Sequence, residues 1–337
     1  MFFKDIIGNE KNQNALKTVI KNGKISHAYI MSGIDGVGKT TVAKAFSMGI
    51  MCENFTDDSC GECKSCHLIK SNSHPDIKVL DLTVDEDGTK KATIGVEAIR
   101  SLKKDVYLKP FYGKRKIYIL ENAELMTVEA QNSLLKVFDE PPEYAVIILV
   151  CSNINKILST IISRAVNLRF DALKPAEILQ FTEKNYSDFN NKKVISEICG
   201  GSIKKAVELI EDEAGLELRS KVLKAFFYLL LAESDTAINE LAEILVQNKS
   251  INAEIISMLS NYLSDLAKVK SGHKELIMNL DFLNEIIRNS ESMDINSIYE
   301  MQNELAEFNE YILRNANYKL VVIDKLIALH ELSKKKR

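Results

Sequence analysis

The strongest chemical signal in the chain is a glycine-rich loop at residues 33–40. It reads Gly-Ile-Asp-Gly-Val-Gly-Lys-Thr and matches the phosphate-binding pattern G-x-x-x-x-G-K-[ST] at every position. In such a P-loop, backbone N–H groups turn inward around phosphates, the lysine reaches the β and γ oxygens, and the threonine hydroxyl is placed to ligand Mg²⁺. The loop predicts a site for a nucleoside triphosphate, with ATP expected; the alternative is a glycine-rich turn that binds nothing. The predicted contacts are Gly33, Gly36, Gly38, Lys39, Thr40 and Thr41.

Hydrolysis of a bound nucleotide also requires a carboxylate for the metal and a group that orients or deprotonates water, at the end of a neighbouring strand. The candidate strand spans residues 117–120 and runs into Glu121-Asn122-Ala123-Glu124. Glu121 can meet Mg²⁺, directly or through water, but the amide of Asn122 cannot accept a proton. The sequence therefore predicts binding with slow or absent hydrolysis, unless Glu124 or Glu121 substitutes as the base.

Four closely spaced cysteines follow the helix that is predicted after the P-loop. They form the pattern C-x7-C-x2-C-x2-C inside a polar insertion of about residues 51–67. Four thiolates suit a closed tetrahedral Zn²⁺ site, and such an ion would be structural because the insertion has few apolar residues with which to fold. The predicted metal ligands are Cys52, Cys60, Cys63 and Cys66.

Other interpretations of the cysteines remain. Residues 63–67 read Cys-Lys-Ser-Cys-His, the C-x-x-C-H string of c-type haem, although that attachment takes place outside the cytosol. The spacing also permits an iron–sulfur cluster, or no metal at all. Cys151 and Cys199 stand alone in apolar or helix-end settings and are predicted to be buried core residues.

Hydrophobic periodicity indicates the scaffold that positions these residues. Between residues 25 and 170 short apolar runs alternate with amphipathic stretches, which is typical of an α/β domain with a parallel sheet. The predicted strands span 28–31, 77–80, 117–120 and 145–150, and the predicted helices span 40–50, 96–105 and 128–138.

From Pro175 onwards the strong periods are helical. The predicted helices cover 175–184, 191–199, 202–210, 216–232, 237–246, 255–269 and 299–332. We therefore predict an α/β nucleotide-binding domain at 1–170, a small helical domain at 171–213 and an all-α domain at 214–337. An all-α block of this size can serve as an oligomerisation platform.

Composition narrows the class of protein. The 337 residues carry a formal net charge of -3, without the basic excess of an autonomous DNA-binding protein, so contact with nucleic acid would be local or shared with partners. The chain shows no apolar segment of the signal-peptide or membrane-spanning type. We expect a soluble cytoplasmic protein with no membrane partner, in which the six cysteines do not form disulfides.

Further motifs resemble those of the clamp-loader AAA+ family. After the P-loop and the cysteine insertion come Asn-Ser-Leu-Leu-Lys at 132–136, Glu-Pro-Pro at 140–142, and then Ser163-Arg164. Each motif alone is common, but their combination and order are specific, and the resemblance covers the whole chain. It implies an AAA+ P-loop domain with a parallel sheet, a small helical lid domain and an all-α collar domain that forms a pentamer.

The resemblance also implies roles for single residues. In this family a Ser-Arg-Cys motif supplies an arginine finger to the ATP on the neighbouring subunit, and here residues 163–165 read Ser-Arg-Ala. Arg164 keeps the electrostatic role, because a guanidinium at the γ-phosphate stabilises the developing charge. Asn153 falls at the first sensor of the γ-phosphate. Lys204 falls at the second sensor, where motor subunits carry arginine, and it keeps the charge but not the planar fork.

The resulting expectation is a non-motor clamp-loader subunit of bacterial DNA polymerase III, which binds ATP and lacks a polymerase centre of its own. Its implied partners are the motor (gamma/tau) and delta subunits, the sliding clamp, and primer–template DNA through the assembly. One alternative is the ATP-hydrolysing motor subunit of the same complex, which the intact Lys39 and Thr40 favour and Asn122 opposes. Another is a free-standing P-loop enzyme such as a small-molecule kinase, which leaves the cysteine insertion and Arg164 unexplained.

Overall fold

The computed structural model describes residues 2–81, 93–231, 236–314 and 318–334. The chain divides into two compact units, Met1–Asn185 with Gly200–Lys205, and Tyr186–Cys199 with Ala206–Arg337. The division into three domains that the sequence suggests stays a prediction. Among the described helices, none combines the length and the apolar character that crossing a membrane requires.

The first unit is built on a parallel sheet. Its described strands are β1 (Ala28–Ser32), β2 (Ile77–Asp81), β3 (Lys116–Glu121), β4 (Ala145–Cys151) and β5 (Val166–Arg169). They pair in parallel in the order β2-β3-β4-β1-β5. The three central strands are nearly continuous apolar runs and are buried along their length, as parallel strands covered on both faces are.

The strand order brings three loops to one edge of the sheet. Ser32 pairs with Cys151 at the ends of β1 and β4, and β4 in turn separates β1 from β3. The P-loop leaves β1, residues 121–124 follow the end of β3, and residues 152–153 leave β4. In open α/β sheets ligands bind in the crevice outside the carboxyl ends of the strands, where the strand order reverses.

Helices pack on this sheet through regularly spaced apolar residues. The described helices of the first unit are α1 (Glu10–Lys21), α2 (Lys39–Met51), α3 (Lys64–Lys70), α4 (Val96–Val106), α5 (Val128–Asp139), α6 (Ser159–Ile162) and α7 (Pro175–Asn185). The hydroxyl of Thr127 accepts a hydrogen bond from the Ala130 N–H at 3.2 Å and begins α5. Leu134 and Val137 of α5 then join Leu102 of α4 in the core under the sheet.

The second unit is helical throughout its described part. Its helices are α8 (Lys192–Ile198), α9 (Ile203–Glu211, whose first residues belong to the first unit), α10 (Glu213–Leu231), α11 (Thr236–Gln247), α12 (Asn252–Lys270), α13 (Leu283–Ser292), α14 (Ile295–Arg314) and α15 (Tyr318–Lys334). Helix α10 packs against α11, α12, α13 and α15 and forms the centre of the core. The ring of Phe226 in α10 meets Tyr262 of α12 edge-on, with 5.6 Å between the ring centroids.

The fold class predicted from the sequence is confirmed. The four predicted strands and the three helices between them occur with bounds that differ by one residue at most, and the described elements from Pro175 onwards are helices. β5, α1, α3, α6 and α13 were not predicted. β5 is a four-residue edge strand with exposed side chains, so it lacks an apolar run. The stretch predicted as helix over 299–332 overlaps two helices, α14 and α15, which pack on each other.

Candidate nucleotide site and cysteine cluster

A cavity of about 620 Å³ opens at the carboxyl edge of the sheet in the first unit. Its walls come from the N-terminal segment 5–7, from the P-loop with the start of α2, and from residues that follow β3 and β4. Phe181 of α7 and Lys204 complete the wall. The volume and the mixture of apolar and polar lining are those of a small-molecule site.

Two glycines of the P-loop are required by close approach of the backbone to other segments. Gly33 has φ +152°, and a Cβ placed there would lie 2.3 Å from the carbonyl oxygen of Phe170. Gly36 has φ +75°, and a Cβ there would lie 2.3 Å from the hydroxyl of Ser202. Gly36 also accepts a hydrogen bond from the Ile203 N–H at 3.0 Å. The predicted contacts that line the cavity are Gly36, Gly38, Lys39, Thr40 and Thr41, whereas Gly33 packs against Phe170.

Lys39 is folded into the P-loop. Its ammonium donates hydrogen bonds to the carbonyl oxygens of Gly33 and Ile34, each at 2.7 Å, and the residue is 6% exposed. Burial lowers the pKa of Lys39 below its usual value, and the charges of Asp35 and Glu124 oppose the shift. Since α2 begins at Lys39, its N-terminal N–H groups and this ammonium together favour an anion.

Glu121, Asn122 and Glu124, at and after the end of β3, all line the cavity, but Asn122 and Glu124 have different hydrogen-bond partners. Asn122 has φ +54°, and its amide donates to the carboxylate of Asp81, at the end of β2, at 3.2 Å. One carboxylate oxygen of Glu124 accepts hydrogen bonds from the backbone N–H of Ser152, at 3.1 Å, and from its hydroxyl. Among the residues that the structure describes, no donor bonds the other oxygen of Glu124.

The two predicted sensors differ in position. Ser152 lines the cavity, but the side-chain oxygen of the adjacent Asn153 accepts a hydrogen bond from the Asn155 N–H at 3.0 Å. Lys204 lines the cavity, and its ammonium lies 2.7 Å from a carboxylate oxygen of Asp35 in the P-loop. The hydrogen bond from Lys204 lowers the pKa of Asp35.

Arg164 lies on the surface just after α6 and is not among the residues that line the cavity. Its guanidinium donates to the Asp139 carboxylate at the end of α5 and to the Thr160 carbonyl oxygen, the latter at 3.0 Å. The side chain is 41% exposed. Arg164 is therefore exposed on the surface of the first unit, outside the cavity of that unit.

The four predicted cysteine ligands lie together. Their sulfur atoms are all within 4.8 Å of one another, and Cys66 in α3 is buried. The Cys60 N–H donates to the Cys52 sulfur at 3.2 Å, and the Cys63 N–H donates to the Cys60 sulfur at 3.3 Å. Backbone N–H groups of Glu62 and Cys63 lower the pKa of the Cys60 thiol to about 7.

The donor set fits one tetrahedral metal ion. Zinc–sulfur bonds of about 2.3 Å in tetrahedral geometry place the sulfurs roughly 3.8 Å apart, and the Cys60 and Cys66 sulfurs are 3.9 Å apart. A multi-iron cluster would hold the thiolates farther apart, because its own sulfides lie between the irons. The arrangement is therefore best matched by a single ion held by four thiolates.

Several residues of the cavity were not singled out from the sequence. They include Asp5, Asp35 and Phe181; Cys151, which was predicted only as a buried core residue, also lines the cavity. Asp35 occupies a variable position of the P-loop pattern, so the motif gives no signal for it. Phe181 lies on α7, and its residue type carries no information on a site that is assembled from distant segments.

Two family patterns match most of the chain. The family described as "DNA polymerase III, delta subunit" matches residues 8–174, and that described as "DNA polymerase III, delta subunit, C terminal" matches residues 213–331.

Individual proteins that are similar to this chain are also named as subunits of DNA polymerase III. The chain is 29% identical over 222 residues to DNA polymerase III subunit gamma of Buchnera aphidicola, with 64% of this chain and 59% of that protein covered. It is 29% identical over 295 residues to DNA polymerase III subunit tau of Bacillus subtilis, with 83% and 48% covered. The chain thus spans less than two thirds of the length of either relative.

Among solved structures, a gamma subunit-related protein of DNA polymerase III from Thermotoga maritima is 19% identical, with 96% of this chain and 99% of that chain covered and a TM-score of 0.44.

Proposed function

Because the chain belongs to the clamp-loader AAA+ family of DNA polymerase III, we propose that it acts as the delta-prime subunit of a bacterial clamp loader in DNA replication. In this role it binds ATP with Mg²⁺, turns it over slowly by itself, and offers Arg164 to the nucleotide of a neighbouring motor subunit. Its partners are the motor gamma/tau and delta subunits and the sliding clamp, and it meets primer–template DNA through the assembly. We place it in the cytoplasm.

The proposal rests mainly on one difference: the P-loop keeps its phosphate-binding residues, whereas the position of the general base after β3 holds an amide. The cavity keeps Lys39 and Thr40, which are the residues that hold phosphates and Mg²⁺. At the place of a general base stands Asn122, whose amide cannot take a proton and is bonded to Asp81. This combination supports a site that holds a nucleotide for assembly and hydrolyses it poorly.

The position of Arg164 supports action on a nucleotide bound elsewhere. It is exposed, its partners are Asp139 and Thr160 of its own surface, and it does not line its own cavity. An exposed ion pair of this kind contributes at most about 1 kcal/mol, so a stronger anionic partner displaces Asp139 at small cost. A γ-phosphate on an adjacent subunit is such a partner, because a bidentate guanidinium–phosphate contact is charge-assisted.

The nucleotide's metal and the cysteine metal have separate roles in this proposal. Mg²⁺ would be held by Thr40 and by Glu121 and would neutralise phosphate charge. Zn²⁺ would be held by the four thiolates and would have no open position, so its contribution is to the stability of the insertion.

A second candidate is the ATP-hydrolysing motor subunit of the same complex. The relatives that are named gamma and tau favour it, as does the complete P-loop. In that case Glu124, whose second carboxylate oxygen has no described partner, would replace Asn122 as the base.

Nucleotide binding and turnover of the purified chain distinguish the two candidates. The delta-prime proposal expects Mg·ATP binding that Lys39→Ala abolishes, with little release of phosphate by the chain alone. Robust turnover by the chain alone would establish the motor candidate instead. Absence of nucleotide binding by the folded wild-type chain would refute both.

The arginine finger is tested in the reconstituted assembly with motor subunits. Arg164→Ala is expected to leave this chain's own affinity for ATP unchanged and to lower the ATPase of the assembly about 10³-fold, the lower end of the range for arginine fingers. Arg169→Ala is the matched control, because Arg169 is also exposed and paired with an aspartate. An Arg164→Ala assembly with the rate of the control would remove the finger assignment.

A further inference from the structure

The segment 202–204 is docked on the tip of the P-loop. The Ile203 N–H donates to the Gly36 carbonyl oxygen at 3.0 Å, and the missing side chain of Gly36 leaves room for Ser202 and Lys204. A Cβ on Gly36 would lie 2.5 Å from the Cβ of Lys204. The backbone of Lys204 is therefore fixed beside the P-loop, and the direction of its side chain decides which anion it meets.

In this structure the anion that Lys204 meets is Asp35. The ammonium and the carboxylate are 2.7 Å apart, and the side chains are 59% and 72% exposed, respectively. Both residues line the same cavity as Lys39. The P-loop thus carries its own carboxylate, in a variable position of the motif, beside Lys204, which like Lys39 lines the cavity.

A bound triphosphate changes the partners of this pair. Its γ-phosphate is a second, more highly charged anion for Lys204, and a diphosphate lacks that group. If Lys204 moves to the phosphate, Asp35 keeps its negative charge beside the nucleotide without this partner. The loss of the ion pair and the repulsion both oppose binding of the triphosphate, whereas a diphosphate can bind with the pair intact.

From this geometry we propose that Asp35 sets the preference of the site between nucleoside triphosphate and diphosphate, by competing with the γ-phosphate for Lys204. The inference rests on the proposed nucleotide site and adds a specificity-determining residue to it. Asp35 thus weakens triphosphate binding, so that the site releases or exchanges ATP more readily than it would without this carboxylate.

Equilibrium titrations of the full chain with Mg·ATP and Mg·ADP test the proposal. Asp35→Asn is expected to raise the ratio of the ADP dissociation constant to the ATP dissociation constant by about threefold, within the range of about 1.4-fold to fivefold that corresponds to exposed ion pairs. In a Lys204→Ala background the same substitution is expected to raise the ratio by less, because only the direct repulsion between Asp35 and the γ-phosphate is then relieved. The gain should shrink between about 0.05 M and 0.5 M salt, because exposed charges are screened.

Asp57→Asn is the matched control, since Asp57 forms an ion pair with Lys21 outside the cavity and its removal should leave the ratio unchanged. An Asp35→Asn variant whose ratio is unchanged or lower, or whose gain is equally large without Lys204, would overturn this inference while leaving the proposed function standing. A wild-type chain that binds neither nucleotide would refute the proposed function and this inference together. Circular dichroism of each variant confirms that it is folded.

Discussion

Replacement of Gly36 by alanine is the sharpest test of the docking between the P-loop and segment 202–204. Gly36 has φ +75°, and an added Cβ would lie 2.3 Å from the Ser202 hydroxyl and 2.5 Å from the Cβ of Lys204. Two costs therefore combine. The left-handed backbone conformation costs an alanine about 1–2 kcal/mol. The contacts below 3 Å also force the segment to move.

The second cost cannot exceed the free energy of the contacts that segment 202–204 loses when it moves away from Gly36. The segment loses the hydrogen bond from Ile203 to Gly36, at 3.0 Å, and the ion pair between Lys204 and Asp35. A net contribution of about 0.5–1.5 kcal/mol for the hydrogen bond and at most about 1 kcal/mol for the exposed pair gives about 0.5–2.5 kcal/mol. With the conformational cost of about 1–2 kcal/mol, the free energy of unfolding of the Gly36→Ala variant should thus fall by about 1.5–4.5 kcal/mol.

Gly23→Ala is the matched control, because Gly23 has φ +65° and no atom within 4 Å of an added Cβ. It carries the conformational cost alone, about 1–2 kcal/mol, and the effect of alanine on the unfolded chain is the same in both variants. Urea unfolding followed by circular dichroism measures the difference, since the chain has no tryptophan for fluorescence. ATP affinity should fall for Gly36→Ala and not for Gly23→Ala. Equal destabilisation of the two variants with equal ATP affinity would show that segment 202–204 does not rest on Gly36 in solution.

Two further predictions concern the metal and acid stability. Cys66→Ser should remove about one equivalent of zinc, measured by elemental analysis, and should lower the melting temperature. The control is Cys199→Ser, which should retain the zinc because Cys199 is buried and lies outside the cluster. Iron, or no metal, in the wild-type protein would contradict the zinc site. For Asp105, burial raises the pKa, but hydrogen bonds from Lys78 and Tyr118, among others, outweigh burial and hold it at about 2. Because folding lowers this pKa, the Asp105 carboxylate stabilises the folded state by about 2 kcal/mol above about pH 4, and this stabilisation is lost as the pH falls towards 2. Asp105→Asn should therefore make the free energy of unfolding less dependent on pH in this acid range. An unchanged pH dependence would refute the prediction.

Features that depend on neighbours in the sequence were predicted well. The P-loop is a contiguous motif, and β1 before it and α2 after it follow from an apolar run and an amphipathic period. The four cysteines lie within 15 positions of one another, so their proximity follows from a short chain that turns back on itself. The helical character beyond Pro175 is likewise a local property of the apolar spacing.

The hydrogen-bond partners of the candidate site residues could not be predicted from neighbouring positions in the sequence. Asn122 was predicted to be a poor base from its amide alone, but its hydrogen bond to Asp81 depends on β2 lying next to β3. The contact between Glu124 and Ser152 depends on β4 lying on the other side of β3. Strand order is set by non-local pairing, and hydrophobic periodicity does not encode which strands become neighbours.

The sequence by itself determined that this protein has a loop of the phosphate-binding pattern, a cluster of four thiols, an amide at the position where a general base is expected, and the order of an α/β part and a helical part. The tertiary structure alone decided which charges face one another around the loop. Lys204 reaches Asp35 across 169 positions of the chain, and Arg164 lies outside the cavity against Asp139. The physical reason is that motifs and periods describe the backbone within a few residues, whereas an ion pair across this distance exists only after the whole sheet and its helices have packed.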